Sequence, residues 1–194
     1  MPTDISNWGR VVDLVWVAFG EGRLAEETVW QAVVLIPKGE RDYRDIVLVE
    51  VMWKVVAEFL NRRLTASIIY HGFIYRFRAG RGTVTATLKA KLLQQLEALR
   101  EKVLYVIFLD LHKWHDTLDR SKCLKILEGY SVVPQAFHIL WTYCIRLSMV
   151  AKAGGHYWAE FKGSRGVNLG DPISTTIFNV VVDSVVRHLF TVMV

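Results

Sequence analysis

Three carboxylates follow an apolar run in the stretch VIFLDLHKWHDTLDR, from Val106 to Arg120. Asp110 ends the run, and Asp116 and Asp119 come shortly after it. A charge at the end of a buried strand is costly unless a metal ion, a cationic group or a helix N-terminus lies beside it. Mg²⁺ is a hard ion that prefers carboxylate oxygens, so this placement is compatible with a Mg²⁺ ligand. Taken alone, the pattern favours the simpler alternative, an acid that pairs with a lysine or caps the next turn.

The element that would position Asp110 is the run VLYVIFLDL, Val103 to Leu111, which is nearly continuously apolar. Such a run predicts a strand that is buried on both faces. A short helix is predicted from Leu118 to Leu127, with Asp119 near its start. Asp116 and Asp119 are therefore expected to be turn and cap residues.

The remaining elements follow from apolar periodicity and from turn residues. Five helices are expected: one within Ile5 to Glu27 that Gly20 and Gly22 end, one from about Val49 to Leu64, one capped by Thr83 or Thr85 with a stripe of Leu88, Leu92, Leu96 and Leu99, one opened by Pro134, and one from about Pro172 capped by Asp171. The other expected elements are a strand from Ala32 to Gly39, a charged loop after it, an Arg-rich loop from Tyr70 to Gly82, and a hairpin of HYWAEF with Lys162 to Arg165.

Composition indicates a globular protein, because 52% of the 194 residues are hydrophobic and 22% are charged. The net charge of +5 mildly favours an anionic partner such as nucleic acid. Cys123 and Cys144 are too few for a disulfide framework and predict reduced thiols in an intracellular protein. No apolar run approaches the ~18 uncharged residues of a membrane span, so no membrane partner is expected.

Four segments resemble, in order, the conserved blocks of reverse transcriptases from non-LTR retroelements and group II introns. The resemblance covers Val33 to Arg187. The segments are VLIPKGERDYRDIVLVEVMWKVV in the fingers, GFIYRFRAGRGTVTA in the following block, LDLHKWHDTLDR at motif A, and SRGVNLGDPISTTIFNVVVD at motif B.

The resemblance implies an α+β fold that comprises the fingers and a partial palm of a right-hand polymerase. It implies an RNA-directed DNA polymerase that uses an RNA template, a DNA primer, deoxynucleotides and Mg²⁺. Asp110 matches the catalytic metal ligand, and Lys38 and Arg44 match the residues that reach the triphosphate. The nucleotide pocket would include His115, Gly166, Leu169, Gly170 and Asp171.

The basic loop that contains Arg76, Arg78 and Arg81 is of the kind that contacts a nucleic-acid backbone. A solvated loop is the equally weighted alternative.

Several positions depart from the family pattern. Trp114 and His115 stand where an Ala and then a sugar-contacting aromatic residue are usual, and Leu169 replaces the usual Gln of motif B. Asp45 puts a negative charge beside Arg44. The family's motif C, Tyr-x-Asp-Asp, supplies further carboxylates, yet these 194 residues contain no Asp–Asp pair. Two-metal phosphoryl transfer uses ions about 3.5–4 Å apart, which one Asp cannot hold.

These departures leave three hypotheses open: an enzyme fragment that is inactive alone, a decayed relic that at most binds nucleic acid, and a piece completed by a partner chain. The last helix ends in HLFTVMV without a cap, which suggests a chain cut inside a fold, with the motif C hairpin and the thumb absent. The expected regions are an N-terminal helical segment (1–30), a fingers-like region (31–102) and a partial palm (103–194). The incomplete palm would leave a sheet edge for self-association.

Overall fold

The computed structural model describes residues 6–38, 43–108, 110–111, 113–153, 155–163, 165–168 and 170–193. Seven α-helices and four strands lie in these ranges. The helices are α1 (Ser6–Trp16), α2 (Val51–Ser67), α3 (Thr83–Leu99), α4 (Trp114–Thr117), α5 (Arg120–Glu128), α6 (Pro134–Arg146) and α7 (Ser174–Met193). The strands are β1 (Trp30–Pro37), β2 (Tyr43–Val49), β3 (Ser148–Ala153) and β4 (His156–Phe161). A π-helical turn (Val17–Glu21) extends α1, and a 3₁₀ turn (Glu26–Val29) precedes β1.

The four strands form one mixed sheet in the order β2-β1-β3-β4. The β1–β2 and β3–β4 pairs are antiparallel hairpins, whereas β1 and β3 run parallel. The parallel pair joins the first half of the chain to the second, since Trp30 lies opposite Ser148. The mixed α/β architecture agrees with the predicted fold class.

Two predictions about strands are wrong. Residues 43–49 were expected to be a charged loop leading into a helix, but they form β2, in which Val47 and Val49 are buried and Ile46 and Leu48 are exposed. This alternation has the period of a strand. HYWAEF pairs with the preceding strand rather than with Lys162 to Arg165, across a turn at Gly155, whose φ is +81°. Glycine tolerates that conformation without strain.

The core lies where α2, α5, α6 and α7 meet beneath the sheet. Its fully buried side chains include Trp53, Leu60 and Leu64 of α2, and Ile139 and Leu140 of α6. The predicted helix boundaries hold where a cap or a proline marks them. Asp119 caps α5 by accepting the Lys122 N–H at 3.1 Å, Pro134 opens α6, and Gly22 ends the first helix at φ +68°.

Helix α3 begins at Thr83 with Gly82 as its N-cap, so the predicted cap by Thr83 or Thr85 is wrong, and its leucine stripe does not face the core. No side chain of α3 is buried, and Leu88, Leu92, Leu96 and Leu99 are all exposed. The apolar periodicity predicted the helix correctly but not the exposure of its apolar face.

The predicted strand from Val103 to Leu111 is wrong. Residues 102–108 and 110–111 have no regular structure, and Leu109 lies outside the described residues. Phe108 is 91% exposed, and Tyr105 is 86% exposed. A strand buried on both faces needs hydrogen-bonded neighbours and covering layers. The described sheet is built from other segments, so this run has neither.

Among the described residues, none of the helices combines the length and the apolar character needed to cross a bilayer.

Candidate nucleotide and nucleic-acid site

The turn at residues 166–171, which includes the motif B glycines, is tied at its start to the segment around α5. The Gly166 N–H donates to the Leu118 carbonyl at 2.7 Å. Arg120 donates from Nε to the Gly166 carbonyl at 2.6 Å and from Nη1 to the Gly163 carbonyl at 2.7 Å. Arg120 is buried, so these charge-assisted bonds are shielded from water. These hydrogen bonds hold the first residue of the turn in place.

The end of the turn is fixed by Asp171, whose buried carboxylate accepts three hydrogen bonds. The donors are Trp53 Nε1 at 2.9 Å, the Tyr143 hydroxyl at 2.8 Å and the Ile173 N–H at 3.1 Å. The rings of Trp53 and Tyr143 also stack, with centroids 3.5 Å apart. Burial raises the pKa of Asp171 above its ordinary value, although these donors oppose the shift. Asp171 thus joins α2 and α6 at the start of α7.

This network reaches β1 through two amide side chains. Gln31 donates from Nε2 to the Tyr143 hydroxyl, and Asn168 donates from Nδ2 to Gln31 Oε1. Gly170 has φ +102°, and a Cβ placed there would lie 3.5 Å from the Val47 carbonyl of β2. The turn therefore lies directly against the β1–β2 hairpin.

A second buried carboxylate, Asp183, lies further along α7. It accepts hydrogen bonds from the Tyr130 hydroxyl and from Arg187 Nε, both at 2.6 Å, and from the His71 N–H. Burial alone would raise the pKa of Asp183, but the hydrogen bonds from Tyr130, Arg187 and the backbone outweigh it and hold the pKa below its ordinary value. This carboxylate anchors the start of the Arg-rich loop to α7.

The three arginines of that loop have different surroundings. Arg78 donates to the Ile74 carbonyl at 3.2 Å, and Arg81 donates to the Gly72 carbonyl at 2.6 Å. The exposed Arg76 places its guanidinium 4.6 Å from the centroid of the Phe77 ring. Two of the guanidinium groups therefore brace the loop, whereas that of Arg76 lies over the rings of Phe77 and Phe178.

The predicted triphosphate residues lie at the tip of the β1–β2 hairpin. Lys38 is exposed directly after β1, and Arg44 pairs with Ile36 in the strand register, although its side chain lies outside the described part. Leu169 and the side chain of His115 also lie outside it. Trp114, next to His115, packs edge-on against Phe178 of α7, with ring centroids 5.8 Å apart.

The structure brings Gly170 and Asp171 together with the hairpin, and it ties Gly166 to Leu118 and Arg120. Asp110 is exposed in the irregular segment. Within the ranges that the structure describes, no group of three or more His, Cys, Asp or Glu side chains could hold a metal ion. Among the described residues, Asp110 therefore belongs to no such group.

Sequence reasoning missed the residues that hold the turn in place: Gln31, Trp53, Arg120, Tyr143 and Asn168. The two aromatic residues sit on amphipathic helices and were indistinguishable from ordinary core residues. The one available signal was the polar Gln31 beside the apolar stretch AVVLI.

The two cysteines are not candidate nucleophiles. Burial raises the pKa of Cys123 to about 11 and that of Cys144 to about 12, so both thiols stay protonated near neutral pH.

Residues 36–193 match the family model described as "Reverse transcriptase (RNA-dependent DNA polymerase)". The chain is also similar to the retrovirus-related Pol polyprotein from type-1 retrotransposable element R2 of Nasonia vitripennis, with 33% identity over 95 residues. That match covers 47% of this chain and 9% of the polyprotein, so the chain spans only a small part of its relative. The match to the family model covers most of the chain and includes the turn, the hairpin tip and Asp110. The chain therefore belongs to the reverse transcriptase family, and it resembles the non-LTR retroelement type.

Proposed function

We propose that this chain is the nucleotide- and template-binding portion of an RNA-directed DNA polymerase. The observation that carries the proposal is the contact between the turn at 166–171 and the β1–β2 hairpin. Both segments are matched by the resemblance to nucleotide-binding blocks, and they lie far apart in sequence. A buried network through Gln31, Tyr143 and Asp171 holds them together.

In this proposal the hairpin and α2 act as fingers, and α5 to α7 act as the front of a palm. Lys38 and Arg44 at the hairpin tip contact the triphosphate, because cationic side chains form strong charge-assisted hydrogen bonds with phosphate oxygens. The rigid turn supports the base and sugar. Arg76, on the loop anchored by Asp183, contacts the template backbone.

These 194 residues contain no Asp–Asp pair of the kind that completes a two-metal site in the family. Asp110 would hold Mg²⁺ only if further carboxylates were brought beside it, since two-metal transfer stabilises the attacking and the leaving oxygen together. We therefore propose that the polypeptide binds substrates but does not transfer nucleotides by itself.

Equilibrium binding of a fluorescent deoxynucleoside triphosphate tests this proposal, measured with and without an RNA template annealed to a DNA primer. We expect binding that is stronger with template–primer present. Lys38→Ala should weaken triphosphate binding about tenfold, the effect of losing one charge-assisted hydrogen bond of about 1.5 kcal/mol. Lys54→Ala is the matched control, because Lys54 is also exposed but lies on α2.

Equal effects of Lys38→Ala and Lys54→Ala would contradict the triphosphate assignment. Binding of template–primer without any triphosphate binding would favour a second candidate, a non-catalytic nucleic-acid-binding module. The observations that favour this candidate are the exposed Asp110 and the replacement of the usual motif B Gln by Leu169.

A further inference from the structure

The Arg-rich loop places a cation beside each of its phenylalanine and tyrosine rings. The four cation–centroid pairs are Arg78 with Tyr70 at 5.3 Å, Lys89 with Phe73 at 4.2 Å, Arg81 with Tyr75 at 5.6 Å and Arg76 with Phe77 at 4.6 Å. The sequence between Glu58 and Glu97 contains no acidic residue. Cations interleaved with aromatic rings suit a single-stranded nucleic acid, because the cations attract its phosphates and the rings stack with its bases.

Phe77 presents its ring at the surface of this loop. Its side chain is 49% exposed, and the guanidinium of the exposed Arg76 lies over the ring. The rings of Phe77 and Phe178 meet at 89°, so they do not stack face to face. Phe77 therefore offers an accessible aromatic surface next to a positive charge.

The backbone at Phe77 is strained. Its φ is +53°, in the left-handed region that is costly for a residue with a Cβ. Asn179 of α7 holds the preceding residue, because its Nδ2 donates to the Arg76 carbonyl at 2.9 Å. The ring is half exposed, so burial in the core does not account for this conformation. Strain of this kind recurs where a fold holds a residue ready for a ligand.

Phe178 connects this ring to the proposed nucleotide pocket. Its ring centroid lies 6.2 Å from that of Phe77 and 5.8 Å from that of Trp114, and both contacts are edge-on. Trp114 begins α4, the helix that also carries His115. The exposed ring therefore lies near the segment that was predicted to contact the incoming nucleotide.

We propose that Phe77 stacks with an unpaired base of the template strand while Arg76 contacts a phosphate of the same strand. The loop then binds single-stranded nucleic acid in preference to a duplex, because duplex bases are already stacked on one another. This inference rests on the proposed function, in which Arg76 contacts the template backbone. It adds a base contact, and with it the preference for unpaired template.

Fluorescence anisotropy measures this preference with a labelled single-stranded RNA and with the same RNA annealed into a blunt duplex. Phe77→Ala should weaken binding of the single strand at least about fivefold, the lower end of what one stacked base contributes. Affinity for the duplex should change little. The dependence of affinity on salt should also stay the same, since the substitution removes no charge.

Phe73→Ala is the matched control. Phe73 lies in the same loop and is 48% exposed, but its ring already stacks on that of Phe190, with centroids 5.5 Å apart. We expect Phe73→Ala to keep the preference for the single strand. An RNA with abasic sites in place of its bases should bind the wild-type chain as weakly as intact RNA binds Phe77→Ala.

Two further variants separate stacking from folding. Phe77→Trp keeps an aromatic face and should retain the affinity for single-stranded RNA. Phe77→Gly removes the ring and also relieves the left-handed backbone, so its melting temperature should equal or exceed that of the wild type while its affinity falls. A structural role for the ring would instead lower both quantities together, and that result would overturn the proposal.

The proposal also fails if Phe77→Ala and Phe73→Ala weaken binding equally, or if Phe77→Ala weakens single-strand and duplex binding equally. RNA binding that Phe77→Ala leaves unchanged overturns the stacking contact alone, and the proposed function stands. A wild-type chain that binds neither RNA overturns the proposed function itself.

Discussion

The turn at residues 166–171 and the segment at 103–111 both belong to the family match, yet they differ sharply in structure. The turn is held by buried side chains from β1, α2, α5 and α6, whereas the segment that carries Asp110 is irregular and exposed. The turn is specified by side chains that lie within the described fold. A strand buried on both faces is specified by its neighbours, through backbone hydrogen bonds and covering layers. Two segments of one domain can therefore depend on different amounts of surrounding chain.

The largest expected effect comes from removing the Asp171 carboxylate. Asp171→Ala leaves the Trp53 indole N–H and the Tyr143 hydroxyl without their acceptor in the core. Each stranded donor costs about 1–3 kcal/mol, so we expect a loss of about 3 kcal/mol or more in the free energy of unfolding. Chemical denaturation measures it, with Asp110→Ala as the control. Asp110 is exposed, and its removal should change stability by less than about 0.5 kcal/mol. Similar losses in the free energy of unfolding of the two variants would contradict the difference between the turn and the segment that carries Asp110.

The two buried carboxylates of this region should respond oppositely to pH. The lowered pKa of Asp183 means that its stabilising contribution is present above the ordinary Asp pKa of about 3.9 and is lost as the pH falls through the lower folded-state value. The raised pKa of Asp171 means that stability from this group falls as the pH rises from about 3.9 toward the higher folded-state value.

Denaturation of the wild type, Asp183→Asn and Asp171→Asn from acidic to neutral pH measures this opposition. The stability advantage of the wild type over Asp183→Asn should grow as the pH rises, and its advantage over Asp171→Asn should shrink. Parallel changes in the two comparisons would show that the two sites do not differ as described.

A smaller effect is expected at Gly170, where the backbone is left-handed at φ +102°. Gly170→Ala should cost about 1–3 kcal/mol, because a residue with a Cβ is strained in that region. It should also weaken triphosphate binding by shifting the turn away from the hairpin. Gly72→Ala is the matched control, since a Cβ at Gly72 meets nothing within 4 Å. An unchanged melting temperature in Gly170→Ala would mean that the turn is not rigid.

The smallest effects on stability are expected in the Arg-rich loop. There they distinguish an arginine that stabilises the loop from one that contacts RNA. Arg78→Ala should cost about 0.5–1.5 kcal/mol of stability, because its guanidinium bonds the loop's own carbonyls. Arg76→Ala should leave stability nearly unchanged but lower RNA affinity, and it should reduce the slope of log affinity against log salt by about 1. Fluorescence anisotropy at several salt concentrations measures that slope. The template assignment would be wrong if Arg76→Ala left the slope unchanged.

Sequence patterns predicted the elements whose signals are local. Asp119, Pro134 and Gly22 mark helix ends by their own chemistry, and the structure places those ends where the residues indicated. The glycine-rich turn before α7 was also located correctly. The charged residues of segment 43–49 masked the alternating pattern that would have predicted β2. Its side chains alternate between buried and exposed positions only because the strand lies in the sheet. The partner of β4 and the state of residues 103–111 depend on contacts between distant segments, which local periodicity does not contain.

The Asp171 network was beyond local prediction for the same reason. Trp53 and Tyr143 lie on different helices, and each looks like an ordinary apolar-face residue. Only the tertiary structure shows that their polar atoms meet on one carboxylate.

Primer extension on an RNA template, with Mg²⁺ and all four deoxynucleotides, tests most directly the claim that this polypeptide binds substrates without transferring nucleotides. Asp110→Ala is the control. We expect no extended product from either protein, because the single exposed Asp110 cannot place two metal ions. Extension by the wild-type chain that is lost in Asp110→Ala would contradict the proposed inactivity, since it would show that a second carboxylate reaches Asp110 and completes the site.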